Sequence, residues 1–330
     1  MDPWFKENLV CPHDKTKLEL IDNKLVCVKG HEYYYVDGVP VMLLDNVKPT
    51  HFIHDISLQI AQLGEGFKTE YEIKSQKGGI DPYVLANIAH TCGTMYAGLI
   101  NNLTDYPIPE LQLPDAEGKY FLDIGCNWGR WCVAAARKGY NPVGMDHSLL
   151  AIRAAKRIAK QLGVKARFLV ADARYMPFKS EIFDVAYSFS VIQHLKKVEA
   201  RKALAEIPRV LKHSGLSMVQ MPNVYGLRNI YSQIKITIQG EEIAGVNYWS
   251  PSELSRTFNA IIGPSKLSID SFLTLNAQKT DVYILPTGYR LVVYISEALK
   301  KLSKKMKWMI YLADAIFVES TPAYDDLTRL

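Results

Sequence analysis

The run Phe121-Leu122-Asp123-Ile124-Gly125-Cys126-Asn127-Trp128-Gly129 leads from an apolar stretch through two glycines into a helix-like segment. A parallel sheet collects ligands at the carboxyl ends of its strands, beside the point where strand order reverses. One glycine there lets the backbone approach a ligand, and a second lets the following helix pack tightly. Gly125 and Gly129 suit those two tasks. Asn127 stands where a third glycine is common, and asparagine tolerates positive φ better than most residues. Alone, the pattern also describes a bare strand-to-helix turn.

Two acids downstream extend it. Asp146 closes PVGMD, at roughly the 20-residue spacing where a carboxylate can accept hydrogen bonds from ribose hydroxyls. Asp172 closes RFLVAD, where its carboxylate can accept from the exocyclic amine of adenine. Each taken singly also reads as a helix N-cap or a surface turn; together, at successive strand ends, they outline a nucleoside pocket. His194 follows the next apolar stretch. Histidine titrates near neutral pH, so His194 reads equally as a general base or as a structural cap on the next turn.

A second cluster lies near the start. Cys11-Pro12-His13-Asp14 and Cys27-Val28-Lys29-Gly30-His31 have knuckle-like spacing. Zinc favours a tetrahedral set of sulfur and nitrogen ligands. Cys11, Cys27 and His31 supply three, and Asp14 or His13 a fourth.

The elements that would position these residues follow from hydrophobic patterning. Residues 17–21, 24–28, 32–36 and 39–44 are short strand candidates, with Asp37-Gly38 as a turn. Residues 50–104 read as amphipathic helices, broken around Lys77-Gly78-Gly79 and at Asp81-Pro82, where Asp81 is an N-cap. Residues 105–118, rich in proline and acid, form a linker. Strands over 120–124, 142–145, 166–170, 183–189 and 216–221 then alternate with helices over 129–138, 148–161 and 198–211. Such alternation predicts a parallel sheet covered on both faces. Ser148 and Ser250 are helix caps, and residues 266–275 and 315–321 are the last two strands.

Bulk properties bound the alternatives. At roughly 150 residues per domain, 330 residues suggest one large domain and a smaller one. A net charge of +5 and a pI near 8.7 are too mild to argue for nucleic acid. The start MDPWFKENLV does not read as a signal peptide, and no window approaches the roughly 18 apolar residues of a spanning helix. With five cysteines, this leads to the expectation of a reducing, cytoplasmic setting.

LDIGCNWG, VGMDHS, VADARYMPF, FDVAYSFSVIQHL and IPRVLKHSGLSMVQMPN together resemble the class I S-adenosylmethionine-dependent methyltransferases, in particular relatives from quinone biosynthesis. The resemblance implies an α/β, Rossmann-like, seven-stranded sheet with helices on both faces, and S-adenosylmethionine as cofactor. Carried over by position, Asp123 and Gly125 lie near its methionine part, Asp146 holds the ribose, and Asp172 with Ala173 holds the adenine. Ser190 and Gln193 line the sulfonium side. Cys126, Asn127, Gly129 and His147 complete the cofactor-binding set, and His194 is the catalytic candidate. The acceptor implied is a small or lipid-like molecule.

The N-terminal stretch resembles the zinc-ribbon-like domain of tRNA-methyltransferase activator subunits, with Asp14 at the place of the usual second cysteine; Cys11, Asp14, Cys27 and His31 are then the metal set. Similar knuckles precede the catalytic domain in some ribosomal RNA guanine methyltransferases, so RNA methylation is the alternative function. Against it, Lys15, Lys17, Lys24 and Lys29 are offset by Asp14, Glu19, Asp22 and Glu32. Ser188-Phe189-Ser190-Val191 also stands where enzymes that methylate amino nitrogen often carry an Asn-Pro-Pro-Tyr-like tetrad. A non-catalytic partner with a methyltransferase fold is a third reading.

The expected organisation is a zinc-ribbon-like unit over 1–48, a helical linker and cofactor lid over 49–115, and the methyltransferase domain over 116–330. In the family the last two strands pair closely, so 277–313 reads as an insertion. Its segment 289–312 is apolar with Lys300, Lys301, Lys304, Lys305 and Lys307. Packing on the domain or on a second subunit is the simpler reading; peripheral contact with an anionic membrane is the other.

Overall fold

The computed structural model describes residues 1–45, 47–49, 53–75, 79–239, 245–274 and 276–323. Eleven strands form one sheet: β1 Leu18–Ile21, β2 Lys24–Cys27, β3 Glu32–Val36, β4 Val39–Met42, β5 Tyr120–Ile124, β6 Asn141–Asp146, β7 Arg167–Ala171, β8 Phe183–Phe189, β9 Leu211–Pro222, β10 Ser265–Ser271 and β11 Ala315–Ser320. Their order is β1-β2-β3-β4-β7-β6-β5-β8-β9-β11-β10. The stretch from β7 to β9 is parallel, and β11 inserts antiparallel between β9 and β10. The chain runs outward from β5 through β6 to β7 and then returns to β8 on the other side of β5. The strand order therefore reverses at β5, and open parallel sheets bind ligands outside the carboxyl ends of strands at such a point.

The alternating pattern forms the expected elements. Leu122 and Ile124 of β5 are wholly buried between helix layers. Helix Leu149–Gln161 turns Leu149, Ile152, Ala155 and Ala159 to the sheet, beside Phe168 and Val170; each large side chain so buried contributes about 1.5–3 kcal/mol. Ser148 caps it, its hydroxyl accepting from the Ala151 N–H at 3.2 Å. Asp81 caps helix Pro82–Cys92 through the Tyr83 N–H, and Ser250 caps helix Pro251–Ile261 through the Glu253 N–H. The expected break at Lys77-Gly78 and the end of the sixth expected strand at Leu275 lie outside the described residues.

The seven-strand expectation needs correction, because the N-terminal strands extend the same sheet to eleven. Val41 and Met42 of β4 pair in parallel with Val170 and Ala171 of β7. That edge would otherwise present unpaired backbone groups, and the antiparallel strands β1 to β4 cover it. The N-terminal helix Pro3–Asn8 docks as well, with the Trp4 ring against Phe178 and Phe183. Trp4, Cys11, Leu25 and Tyr33 share one core with Phe183 and Leu211.

β10 and β11 pair antiparallel from Ser265↔Ser320 to Ile269↔Ile316, with a bulge before Ser271↔Ala315, although residues 277–313 intervene. That segment forms two short 3-10 turns around helix Thr287–Ser303. Among the described residues no helix is long and apolar enough to cross a membrane.

Candidate functional site

The turn after β5 is built as its residue types require. Gly125 has φ +77° and Gly129 φ +81°. A Cβ on Gly125 would stand 2.4 Å from a methyl of Val191, and one on Gly129 would stand 3.0 Å from the Phe168 ring. Asn127, at φ 46°, is left-handed too, and its side-chain oxygen accepts from the Trp128 N–H at 2.8 Å. The turn is sewn to the neighbouring strand, since the N–H groups of Gly125 and Cys126 both donate to Met145 O, at 2.8 and 2.9 Å.

Asp123 lies beneath this turn, buried, with the Cys132 thiol donating to it at 3.4 Å. Desolvation raises its carboxyl pKa to about 7; the Cys132 thiol opposes the rise and the nearby Asp146 charge adds to it. Asp146 ends β6, and its two oxygens accept from the N–H groups of Asn127 and Ser148, each at 2.9 Å. The neighbouring His147 places Nδ1 3.6 Å from Asp146. Tyr83, from helix Pro82–Cys92, brings its hydroxyl to Asn127 and Ser148; burial, with the Asp146 charge, pushes its pKa above the ordinary phenol value.

Asp172 and Ala173 follow β7 at the next strand end. The Asp172 carboxylate is engaged by Arg174, whose Nη2 and Nε donate to it at 2.6 and 3.0 Å. Arg174 also donates to Glu199 and to Lys48 O, and so ties β7 to the N-terminal region. Ser190 follows β8 at φ 60°, strained for a serine. Its hydroxyl accepts from Gln193 at 2.8 Å and from Asn276 at 3.1 Å. His194 Nδ1 lies 3.2 Å from Gly245 O. A carbonyl only accepts, so Nδ1 carries the proton and a neutral ring keeps its Nε2 lone pair. Surrounding protein desolvates the ring and holds its pKa below the usual histidine value, against the pull of Gly245 O.

The cofactor residues expected from the sequence thus gather along one edge, at the ends of β5, β6, β7 and β8. The spacing did not reveal what fixes them: Val191 against Gly125, Arg174 on Asp172, Asn276 on Ser190, and Ser57, which donates to His147 O at 2.8 Å. Each joins residues far apart in the chain, or side chains whose partners no periodicity marks.

The N-terminal candidates also converge. Cys11, Asp14, Cys27 and His31 bring their ligand atoms within 4.8 Å of one another. His31 Nδ1 is 3.6 Å from the Cys11 sulfur, 3.4 Å from the Cys27 sulfur and 3.2 Å from Asp14 Oδ2. Burial raises the Cys27 pKa, but N–H groups of Lys29 and His31 outweigh it and the thiol ends below its ordinary value. Tyr33 reaches Cys11 at 3.1 Å, and Asp14 is oriented by Thr16. The His13 ring lies tilted against the His31 ring, their centroids 4.4 Å apart, outside the four-ligand group.

Comparison with known proteins matches residues 121–215 to a family described as a methyltransferase domain. A protein of Methanocaldococcus jannaschii, itself uncharacterised, is 30% identical over 159 residues, which are 48% of this chain and 58% of that one. A ubiquinone biosynthesis O-methyltransferase of Brucella ovis is 32% identical over 115 residues, 34% of this chain and 46% of the relative. The chain thus spans about half the length of these two curated relatives. A SAM-dependent methyltransferase from Archaeoglobus fulgidus aligns with TM-score 0.41 at 16% identity, covering 62% of this chain and 86% of that one. Residues 121–215 match a methyltransferase domain, and they lie in the sheet built around β5. Four N-terminal strands extend the same sheet beyond the matched residues.

Proposed function

We propose that this chain transfers a methyl group from S-adenosylmethionine to a small or lipid-like acceptor. The observation that carries the reading is the strand-end arrangement of Gly125, Asp146 and Asp172 inside a matched methyltransferase domain. The residues suit the cofactor. At Gly125 a side chain would collide with Val191, so only glycine fits the turn. The Asp146 carboxylate is fixed by two N–H groups and keeps lone pairs for ribose hydroxyls. Asp172 is held rigid by Arg174, with Ala173 beside it for the adenine. Asp123, Cys126, Asn127 and Gly129 shape the methionine end, His147 flanks the ribose, and Ser190 with Gln193 faces the sulfonium side.

The bound cofactor supplies an activated methyl carbon for in-line displacement, so the chain mainly supplies position and exclusion of water. An acceptor that must lose a proton needs a base, and His194 presents Nε2 in its neutral form. A hydroxylated acceptor is favoured because the Brucella ovis relative is named an O-methyltransferase. The test follows labelled methyl transfer to hydroxylated acceptors. His194→Ala lowers turnover with cofactor affinity kept; unchanged turnover removes the base role.

The N-terminal cluster fits zinc in a closed structural site. Zinc bonds of about 2.3 Å to sulfur and about 2.0–2.2 Å to nitrogen and oxygen give tetrahedral edges from about 3.3 Å between nitrogen and oxygen to about 3.8 Å between two sulfurs. The separations of 3.6, 3.4 and 3.2 Å around His31 Nδ1 agree with that geometry. Cys11, Asp14, Cys27 and His31 would hold the ion and pin the loops flanking β2. The organisation that follows is a metal-pinned unit over 1–48, a helical cofactor lid over 49–115 and the catalytic domain over 116–330.

A further inference from the structure

Two helices leave the carboxyl edge of the sheet beside the site, and both turn apolar side chains to solvent. Helix Leu227–Gln239 follows β9 and is amphipathic in the inverted sense. Its polar Asn229 is wholly buried, donating to Asn223 O and Asp314 O at 2.8 and 2.7 Å. Leu227, Ile230, Tyr231 and Ile234, spaced as one helical stripe, are exposed, Tyr231 by 67%.

Helix Thr287–Ser303 packs through Val293 and Ser296, which are buried. The expected packing on the domain is therefore present, but it uses only one stripe. Leu291, Tyr294, Ile295 and Leu302 form a second stripe that stays exposed. The Tyr225 and Tyr311 rings, 6.3 Å apart, join the two helices' surroundings, and Trp308, in the same 3-10 turn as Tyr311, is 56% exposed. Exposed apolar side chains grouped in this way and rimmed by charge mark an interaction face.

The charge around it selects the occupant. Between residues 289 and 312 there are six basic residues against the single acid Glu297. Lys301, Lys304, Lys305 and Lys307 are all exposed. Tryptophan and tyrosine settle at the headgroup level of a bilayer, and lysines beside them favour anionic lipid. A second copy of this chain would bring the same lysines against their like in a two-fold interface. We propose that this face docks on an anionic phospholipid bilayer. The face borders the site, because Asn276, the residue before the insertion, donates to Ser190 at the end of β8.

The proposal stands apart from methyl transfer, since vesicle binding needs neither donor nor acceptor. The test is flotation of the full chain with phosphatidylcholine vesicles, with and without about 30 mol % phosphatidylglycerol, at about 0.1 M and about 0.5 M salt. Binding is expected to anionic vesicles only, about tenfold weaker at the higher salt. Trp4, Trp128, Trp131 and Trp249 are buried, so Trp308 fluorescence reports contact and shifts to the blue on binding. Replacing Lys301, Lys304, Lys305 and Lys307 by Glu abolishes flotation, and Tyr294→Ser with Leu291→Ser weakens it, both with circular dichroism unchanged. Trp308→Phe removes the blue shift while flotation persists. Equal binding to neutral and anionic vesicles, binding to neither, or self-association of the lipid-free chain without vesicle binding overturns the proposal.

Discussion

The Arg130 guanidinium stands 3.2 Å from the Asp281 carboxylate, and both side chains are buried. Arg130 begins the helix after the Gly125 turn, whereas Asp281 belongs to the insertion between β10 and β11. The Tyr96 hydroxyl, from the helical segment before β5, donates to the same carboxylate. Three stretches of chain far apart in sequence are thus clamped together at the edge that carries the site.

Removing one partner of a buried ion pair leaves the other charged and unpaired, at a cost of about 3–5 kcal/mol. Asp281→Ala is therefore expected to lower Tm by about 10 °C. Calorimetry of the single variant and of Arg130→Met with Asp281→Leu checks the cause. The double variant should recover most of the loss, because it leaves no unpaired charge. An unchanged Tm in the single variant would contradict the clamp.

Asp123 gives a pH signature with a definite sign. Its pKa is about 7 in the folded chain and 3.8 ordinarily, so between those values the folded state binds more protons than the unfolded state. Its contribution to stability falls as pH rises from about 4 to about 7 and is level above. Asp123→Asn removes that loss. The variant is expected to melt above the parent at pH 8, the gap narrowing on acidification toward pH 4, while binding S-adenosylmethionine more weakly. A gap that widens on acidification would contradict the buried, proton-binding state of Asp123.

Much of this was legible in the sequence, for physical reasons. Local signals carried the elements: the strand ending at Ile124, the Ser148, Asp81 and Ser250 caps, and the left-handed Asn127 depend on neighbours within a few residues. The strand-end acids were legible because each closes a strand of one parallel sheet. Pairings across the chain were not. The pairing of β4 with β7 has no marker in either strand, since Val39–Met42 reads as apolar whatever it pairs with, and so seven strands were expected where eleven form. Arg174 on Asp172 lies only two residues away, yet an Asp-x-Arg spacing does not tell a clamp from a turn. In helix Thr287–Ser303 the apolar residues merged into one pattern; only the packed structure separates the stripe on the core from the stripe facing water.

The metal reading predicts one zinc per chain by elemental analysis of protein prepared without added chelator. Chelation should lower Tm, because the ligands join loops whose strands share the central core. Cys27→Ser should lose the metal and show the lower Tm without chelator. Full Tm in the metal-free parent would leave the four residues as a hydrogen-bonded cluster.

The central claim is that the Gly125 turn and the strand-end acids hold S-adenosylmethionine. Isothermal calorimetry of the chain with this cofactor tests it most directly, with Asp146→Ala alongside. The account predicts one site per chain with a Kd between about 1 μM and 1 mM, the range enzymes commonly use, and a loss of at least about tenfold in the variant, one good hydrogen bond to a charged group. No binding by the parent at millimolar cofactor, or equal binding by parent and variant, would contradict it.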